Sequence, residues 1–137
     1  GFEGHADIGL GGGFDLELGL DYVRGELRDS NEPLPRIPPF RFRGGVTYHR
    51  NFFQAGGELV AVSEQDRVFG EETPTEGYTL VNANVNYLVH DGDSSSWEAF
   101  LQGTNLGNQE AYAATSAIKD LVPLPGRNIF AGIRVYF

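Results

Sequence analysis

Apolar and polar residues alternate with a period of two along most of the chain. From Phe14 the apolar positions are Phe14, Leu16, Leu18, Leu20 and Tyr22, with Asp15, Glu17, Gly19 and Asp21 between them. Successive side chains of a strand point to opposite faces, so this segment predicts a ribbon with one apolar and one acidic face. The pattern recurs as Phe40, Phe42, Gly44, Val46 and Tyr48 against Arg41, Arg43, Gly45, Thr47 and His49. It returns as Thr79, Val81, Ala83, Val85, Tyr87 and Val89 against Leu80, Asn82, Asn84, Asn86 and Leu88. Weaker versions cover residues 4–10, 53–63 and 97–105, and a last one runs through Ile129, Ala131, Ile133, Val135 and Phe137. About seven strands are predicted, several near the ~9 to 11 residues of a membrane-crossing β-strand.

The predicted connections alternate in length. Gly11-Gly12-Gly13 and Arg50-Asn51 read as tight turns, and residues 90–96 as a modest polar one with Asp91-Gly92 as its signal. Between them lie residues 28–39, rich in Pro; 66–77, rich in acid; and 107–126, for which a short helical turn is expected around Ala113 to Leu121. If the strands run up and down, all short turns fall on one side and all long loops on the other, the asymmetry of outer-membrane barrels. The aromatic residues sort the same way. Phe14, Tyr48, Phe53, Tyr87, Trp97 and Phe137 all sit at strand ends beside the short turns or the C-terminus, forming a belt at one level, with Phe40, Phe42 and Tyr22 as candidates for an opposite belt. A soluble β-sandwich also alternates, but it does not sort loops and aromatics by side.

Composition narrows the partners. No run approaches the ~18 apolar residues of a spanning helix, and no basic stretch followed by an apolar one marks a retained signal peptide. Without cysteine there is no disulfide framework, Cys-zinc site or thiol chemistry. The net charge of −9, with Lys119 as the only lysine, excludes the concentrated positive field that a nucleic-acid partner needs. Beginning Gly1-Phe2-Glu3 without methionine, the chain is expected to be a mature segment or a fragment. An open sheet in lipid leaves unpaired edges, and bacterial single-chain barrels use even strand numbers, so seven strands are expected to be part of a larger barrel.

Several local motifs carry a family resemblance. Leu34-Pro35-Arg36-Ile37-Pro38-Pro39-Phe40-Arg41 and Gly77-Tyr78-Thr79-Leu80 each open a strand, Asn105-Leu106-Gly107-Asn108 closes one, Pro125-Gly126-Arg127-Asn128 precedes the last, and Phe137 is terminal. In order and spacing the chain resembles the C-terminal end of TonB-dependent outer-membrane receptors. The resemblance implies an all-β, antiparallel up-and-down transmembrane barrel of 22 strands, of which residues 1–137 would supply the C-terminal part, with the plug domain outside this sequence. It implies a bacterial outer-membrane receptor for active uptake of a scarce nutrient, such as an iron chelate, haem or a metal ion. The implied partners are outer-membrane lipid, the remaining strands and plug, a TonB-type energising protein that contacts the plug, and an extracellular small ligand. The barrel-assembly machinery is implied too, because Gly132, Val135 and Phe137 look like the C-terminal signal it reads; Phe130 departs from that pattern, where a polar residue is expected.

Candidate chemistry is sparse, and no enzyme activity or cofactor is expected. His5 and Asp7 share one face of the first strand as a potential ligand pair, though solvated lumen residues explain them better, His49 and His90 lie by short turns, and no metal site is expected. Glu64, Asp66, Glu71, Glu72 and Glu76 could attract a cationic substrate, though a solvated loop explains them as well. Arg41 and Arg43 could meet an anion or, more simply, balance Glu17 and Glu58 across a hydrated lumen. Asp15 and Glu17 lack the apolar pocket that acid/base work requires, Ser94-Ser95-Ser96 lacks a nucleophile elbow, and residues 9–13 lack the Lys and helix of a phosphate loop. The competing expectation is a self-contained β-barrel or β-sandwich that binds a ligand through its three long loops.

Overall fold

The computed structural model describes residues 1–137 as seven strands: β1 (Phe2–Gly11), β2 (Phe14–Tyr22), β3 (Arg41–Arg50), β4 (Phe53–Val62), β5 (Tyr78–Asp91), β6 (Ser96–Thr104) and β7 (Asn128–Tyr136). They form one antiparallel sheet in chain order. Each strand therefore pairs only with its neighbours in sequence, as short turns between alternating segments require. The segment around Ala113 to Leu121 does not become a helix. It forms separate turns, closed by Ser116 N–H to Ala113 O (2.9 Å) and Leu121 N–H to Ile118 O (3.0 Å), and Pro123 and Pro125 then block continuation.

Register fixes the two faces. Leu18, Gly44, Leu59 and Val81 are cross-strand partners on one face, and Glu17, Gly45, Glu58 and Asn82 on the other. A slip of one residue would exchange them, so the alternation itself specifies the pairing. The apolar face stays open: Ile8, Val46, Leu59, Val81, Leu101, Ile129 and Ile133 are all exposed. No side chain in the sheet is fully buried, and the buried apolar residues, Ala111 and Ala114, lie in a loop. A sandwich buries the facing sides of two sheets; this single sheet has no such core. A contiguous apolar face of this extent calls for a nonaqueous covering.

Aromatic rings mark the short-turn end of that face. Phe14 stacks on Tyr48 with centroids 4.6 Å apart, Tyr48 lies 6.4 Å from Phe53, and Phe53 is the cross-strand partner of Tyr87. At the other end Phe2 meets Tyr22 at 5.6 Å. A register shift between Leu88 and His90 turns His90 onto the face of Trp97, at 6.5 Å edge to face, so His90 joins the belt instead of continuing the simple alternation.

The short turns have specific backbone needs. Gly13 sits at φ 88°, and a Cβ there would lie 2.3 Å from the His49 carbonyl oxygen, which limits the position to glycine. The β3–β4 turn falls on Asn51-Phe52, one residue later than the sequence pattern predicts, with Asn51 at φ 52°.

Candidate functional site

Three long connections, L1 (residues 23–40), L2 (63–77) and L3 (105–127), gather at the end of the sheet opposite the short turns. Each is folded on itself before it touches a neighbour. L1 is a small hairpin, with Leu27 N–H bonded to Glu32 O (2.8 Å), Asn31 N–H to Leu27 O (2.9 Å) and Leu34 N–H to Gly25 O (3.0 Å). L2 closes through reciprocal bonds between Gln65 and Thr75, at 2.9 and 3.0 Å.

L3 is organised by Asn105, which is 3% exposed and takes a left-handed φ of 47°. Asparagine tolerates that conformation better than most residues. Its amide donates to Gln109 O (2.8 Å) and Pro125 O (3.1 Å) and accepts from Gln109 N–H (2.9 Å), so one side chain joins the two ends of the loop. Its own N–H donates to Asn82 Oδ1 (3.0 Å), and Leu106 N–H to Val81 O (2.8 Å), fastening L3 to β5. Asn108 accepts from Arg127 N–H at 3.1 Å. The Asn105-to-Asn108 motif is thus a structural knot at the root of L3.

Contacts between loops are of two kinds. Between L2 and L3, Lys119 is 6% exposed and donates to Thr73 O, while the Thr73 hydroxyl bonds Asp120. Pro74, Glu76, Gln109, Glu110, Tyr112 and Lys119 contribute to the lining of an open cleft of about 570 Å³ there. Tyr112 donates to Glu110 at 2.6 Å, and that bond raises the phenol's pKa above its ordinary value. Between L1 and L2, Glu26 faces Arg24 (2.9 Å) from its own loop and Arg67 from L2. These arginine hydrogen bonds and charges pull the Glu26 carboxyl below the usual range and raise the Arg24 guanidinium. Gln65 Nε2 also donates to Ile37 O (2.6 Å), and Arg36 N–H to Glu72 (3.4 Å).

The polar face of the sheet carries matched charges. Arg41 pairs with Asp21 (2.9 Å), Arg43 with Glu58 (3.2 Å), Arg134 with Glu98 (2.5 Å) and His49 with Asp15 (3.1 Å). Asn82 donates to Glu58 at 2.9 Å. Charge balance accounts for Arg41 and Arg43, although Arg41 finds Asp21 and Arg43 takes Glu58 instead of Glu17. His5 and Asp7 meet at 3.0 Å with both side chains well exposed. Neither pair is joined by a further acid or imidazole, since no group of three or more His, Asp and Glu side chains is placed to hold an ion.

The acidic residues of L2 disperse. Glu72 serves the L1 contact, Glu76 lines the cleft toward L3, and Glu64 and Asp66 line the gap beside L1. On the polar face Phe100 lies over Gly132, where a Cβ would approach its ring to 2.8 Å, and the Arg134 guanidinium sits 4.1 Å from that ring's centroid. Gly132 therefore has a packing reason to be glycine. Val135 pairs with Trp97 on the apolar face, and Phe137 is fully exposed beyond β7.

Sequence reasoning missed Lys119, Thr73 and the Glu26–Arg67 pair. Lys119 had one visible signal, its being the only lysine. The other two join positions about forty residues apart in irregular loops, where no periodicity applies.

The sorted loops, the open apolar face and the charge-balanced polar face agree with what comparison finds. The β-barrel model described as TonB dependent receptor-like matches residues 1–106. The chain belongs to the TonB-dependent receptor β-barrel family. Among solved structures it is similar to one titled "Copper transporter OprC", with a TM-score of 0.82 and 24% identity over 98% of this chain. At that identity the likeness shows the fold: a seven-strand stretch of a TonB-dependent barrel. The chain spans 22% of the OprC chain. Proteins of this family reside in the bacterial outer membrane, so the apolar face with its two aromatic levels is the lipid-facing side and the charge-paired face is the lumen.

Proposed function

We propose that this chain is the C-terminal part of the barrel of an outer-membrane active-transport receptor, working in uptake and not in catalysis. The observation that carries the reading is the joining of a paired, hydrated inner face to three self-folded loops gathered at one end. That end is the extracellular one. The loops capture a scarce nutrient there, of the class of an iron chelate, haem or a metal ion, and deliver it to a lumen filled by a plug encoded elsewhere in the parent chain. A TonB-type protein energises release through that plug. A metal-containing cargo is favoured by the likeness to a protein titled as a copper transporter and by the acidic loops. Gly132, Val135 and Phe137 serve as the C-terminal signal for the barrel-assembly machinery, with Phe100 covering Gly132 from the lumen side.

The test is uptake by the full-length parent. Cells lacking it should grow poorly when iron or another transition metal is depleted, and complementation should fail when L2 residues 66–73 are deleted from a receptor that still inserts normally. Normal uptake by that deletion would remove the loops from the function. A 137-residue fragment that folds cooperatively as a monomer in plain buffer would instead promote a self-contained binding module.

A further inference from the structure

The three loops are tied together by two catches of opposite physical character. L2 and L3 are joined through the buried Lys119 ammonium on Thr73 O, with the exposed Thr73 hydroxyl on Asp120 beside it. L3 is held at its root by the Asn105 knot. L1 and L2 are joined at the surface. The charged groups there are Glu26 with Arg24 and Arg67, whose side chains are between 37% and 56% exposed, and Glu72, which accepts from Arg36 N–H at 3.4 Å and from Phe69 N–H of its own loop at 3.3 Å. Surface pairs are screened as ionic strength rises, whereas buried contacts are screened far less.

L1 is also the loop that can move without unfolding. Its hairpin bonds are internal, and Leu34 and Ile37 pack over Gly25, where a Cβ would come within 2.8 Å of Leu34. Near its root, beside β3, it is held by the Gln65 bond to Ile37 O and by Ser63 N–H on Phe40 O (2.9 Å), which set the hinge. A hairpin that carries its own hydrogen bonds keeps them satisfied when it swings.

We infer that L1 is a hinged flap, caught on a fixed L2–L3 wall by the Glu26–Arg67 pair and opening as a unit about the Ile37 end. The flap borders a narrow cleft lined by its own Val23, Pro33, Ile37 and Phe40 and by the polar Gln65, Asp66 and Arg67 of L2. Opening it exposes its own apolar underside and widens the approach to the lumen while the L2–L3 cleft keeps its shape. The inference stands on loop contacts alone and does not depend on transport.

Spin labels on the full-length protein in detergent test it, with Asp29→Cys in L1, Glu71→Cys in L2 and Leu121→Cys in L3, taken in pairs against a background without other cysteines. Raising NaCl from about 0.05 M to about 1 M, which cuts the screening length roughly fourfold, should add a longer-distance population to the L1–L2 pair and leave the L2–L3 pair unchanged. Glu26→Gln or Arg67→Gln should do the same at low salt. Thr73→Ala should broaden the L2–L3 pair with no salt dependence, and heat-dependent gel mobility confirms that each variant is folded. Equal broadening of both pairs with salt, or an L1–L2 distance indifferent to salt and to both charge-removing variants, overturns the flap.

Discussion

Replacing Asn105 should release L3 while leaving the sheet intact. The side chain makes three hydrogen bonds at 2.8, 3.1 and 2.9 Å, and the residue is 3% exposed. Asn105→Ala leaves Gln109 O, Pro125 O and Gln109 N–H without that partner, a loss of about 1 kcal/mol each. Alanine at φ 47° adds roughly 1 kcal/mol of backbone strain, for a total of about 4 kcal/mol. Asn105→Gly loses the same bonds without the strain, about 3 kcal/mol. The bond from Asn105 N–H to Asn82 survives in both, since it uses the backbone.

The assay is limited proteolysis of L3 in outer-membrane vesicles, with heat-dependent gel mobility as the control for the barrel. When reclosing outpaces cleavage, the cutting rate follows the open population. About 3 kcal/mol then corresponds to a rate increase on the order of a hundredfold for the glycine variant, and roughly fivefold more for alanine. Asn105→Asp should resemble alanine or exceed it, because a carboxylate can accept from Gln109 N–H but faces two carbonyl oxygens as a further acceptor. An alanine variant cut within a fewfold of the parent, with its barrel intact, refutes the knot.

On the lipid side, Leu59→Arg should cost about 2–4 kcal/mol in a bilayer, while Val60→Arg, one residue on and facing the lumen, should cost much less; equal folding yields for the two in lipid vesicles would contradict the face assignment. Gly132→Ala should lower assembly, and adding Phe100→Ala should restore it if the defect is the 2.8 Å clash with the ring; an unrescued double variant would show instead that the glycine is read by the assembly machinery. The L1 catch should also respond to acid. The Glu26 carboxyl is held below its ordinary 4.5 by Arg24 and Arg67, so its contribution is fully present above that value and disappears as the pH falls through the lowered one; protease sensitivity of L1 that is the same in the parent and in Glu26→Gln at every acid pH at which the barrel stays folded would count against it.

The strands were legible because one rule, repeated every two residues, governs them. Leu16, Leu18 and Leu20 announce a face, and the observed partners Val46, Gly44 and Phe42 follow the same parity. The rule failed where a local event broke the parity. The bulge at Val89 moved His90 to the apolar face, which no count of alternating positions foretells. In residues 113–121 the alanines suggest a helix by propensity, but the segment is held by tertiary contacts to Thr73 and by the closure at Asn105, which favour separate turns. The candidate site was legible only as three loops on one side. Its working contacts, Lys119 with Thr73 and Glu26 with Arg67, join loops that no repeating pattern relates.

That division has a physical consequence for how the molecule can vary. The sheet draws its stability from lipid on one side and water on the other, and needs only the alternation and matched charges such as Arg43 with Glu58. The loops hold their own buried centres: Asn105 for L3, Lys119 for the L2–L3 junction and Thr75 inside L2. Losing one of these centres loosens a loop without disturbing strand register, because the backbone bonds of the sheet are made between strands and not through the loops. The loop surface can therefore be reshaped residue by residue while the sheet beneath it stays fixed. L1 differs from the other two in joining L2 through exposed charges instead of a buried centre, which makes it the loop whose position responds most readily to salt and acid.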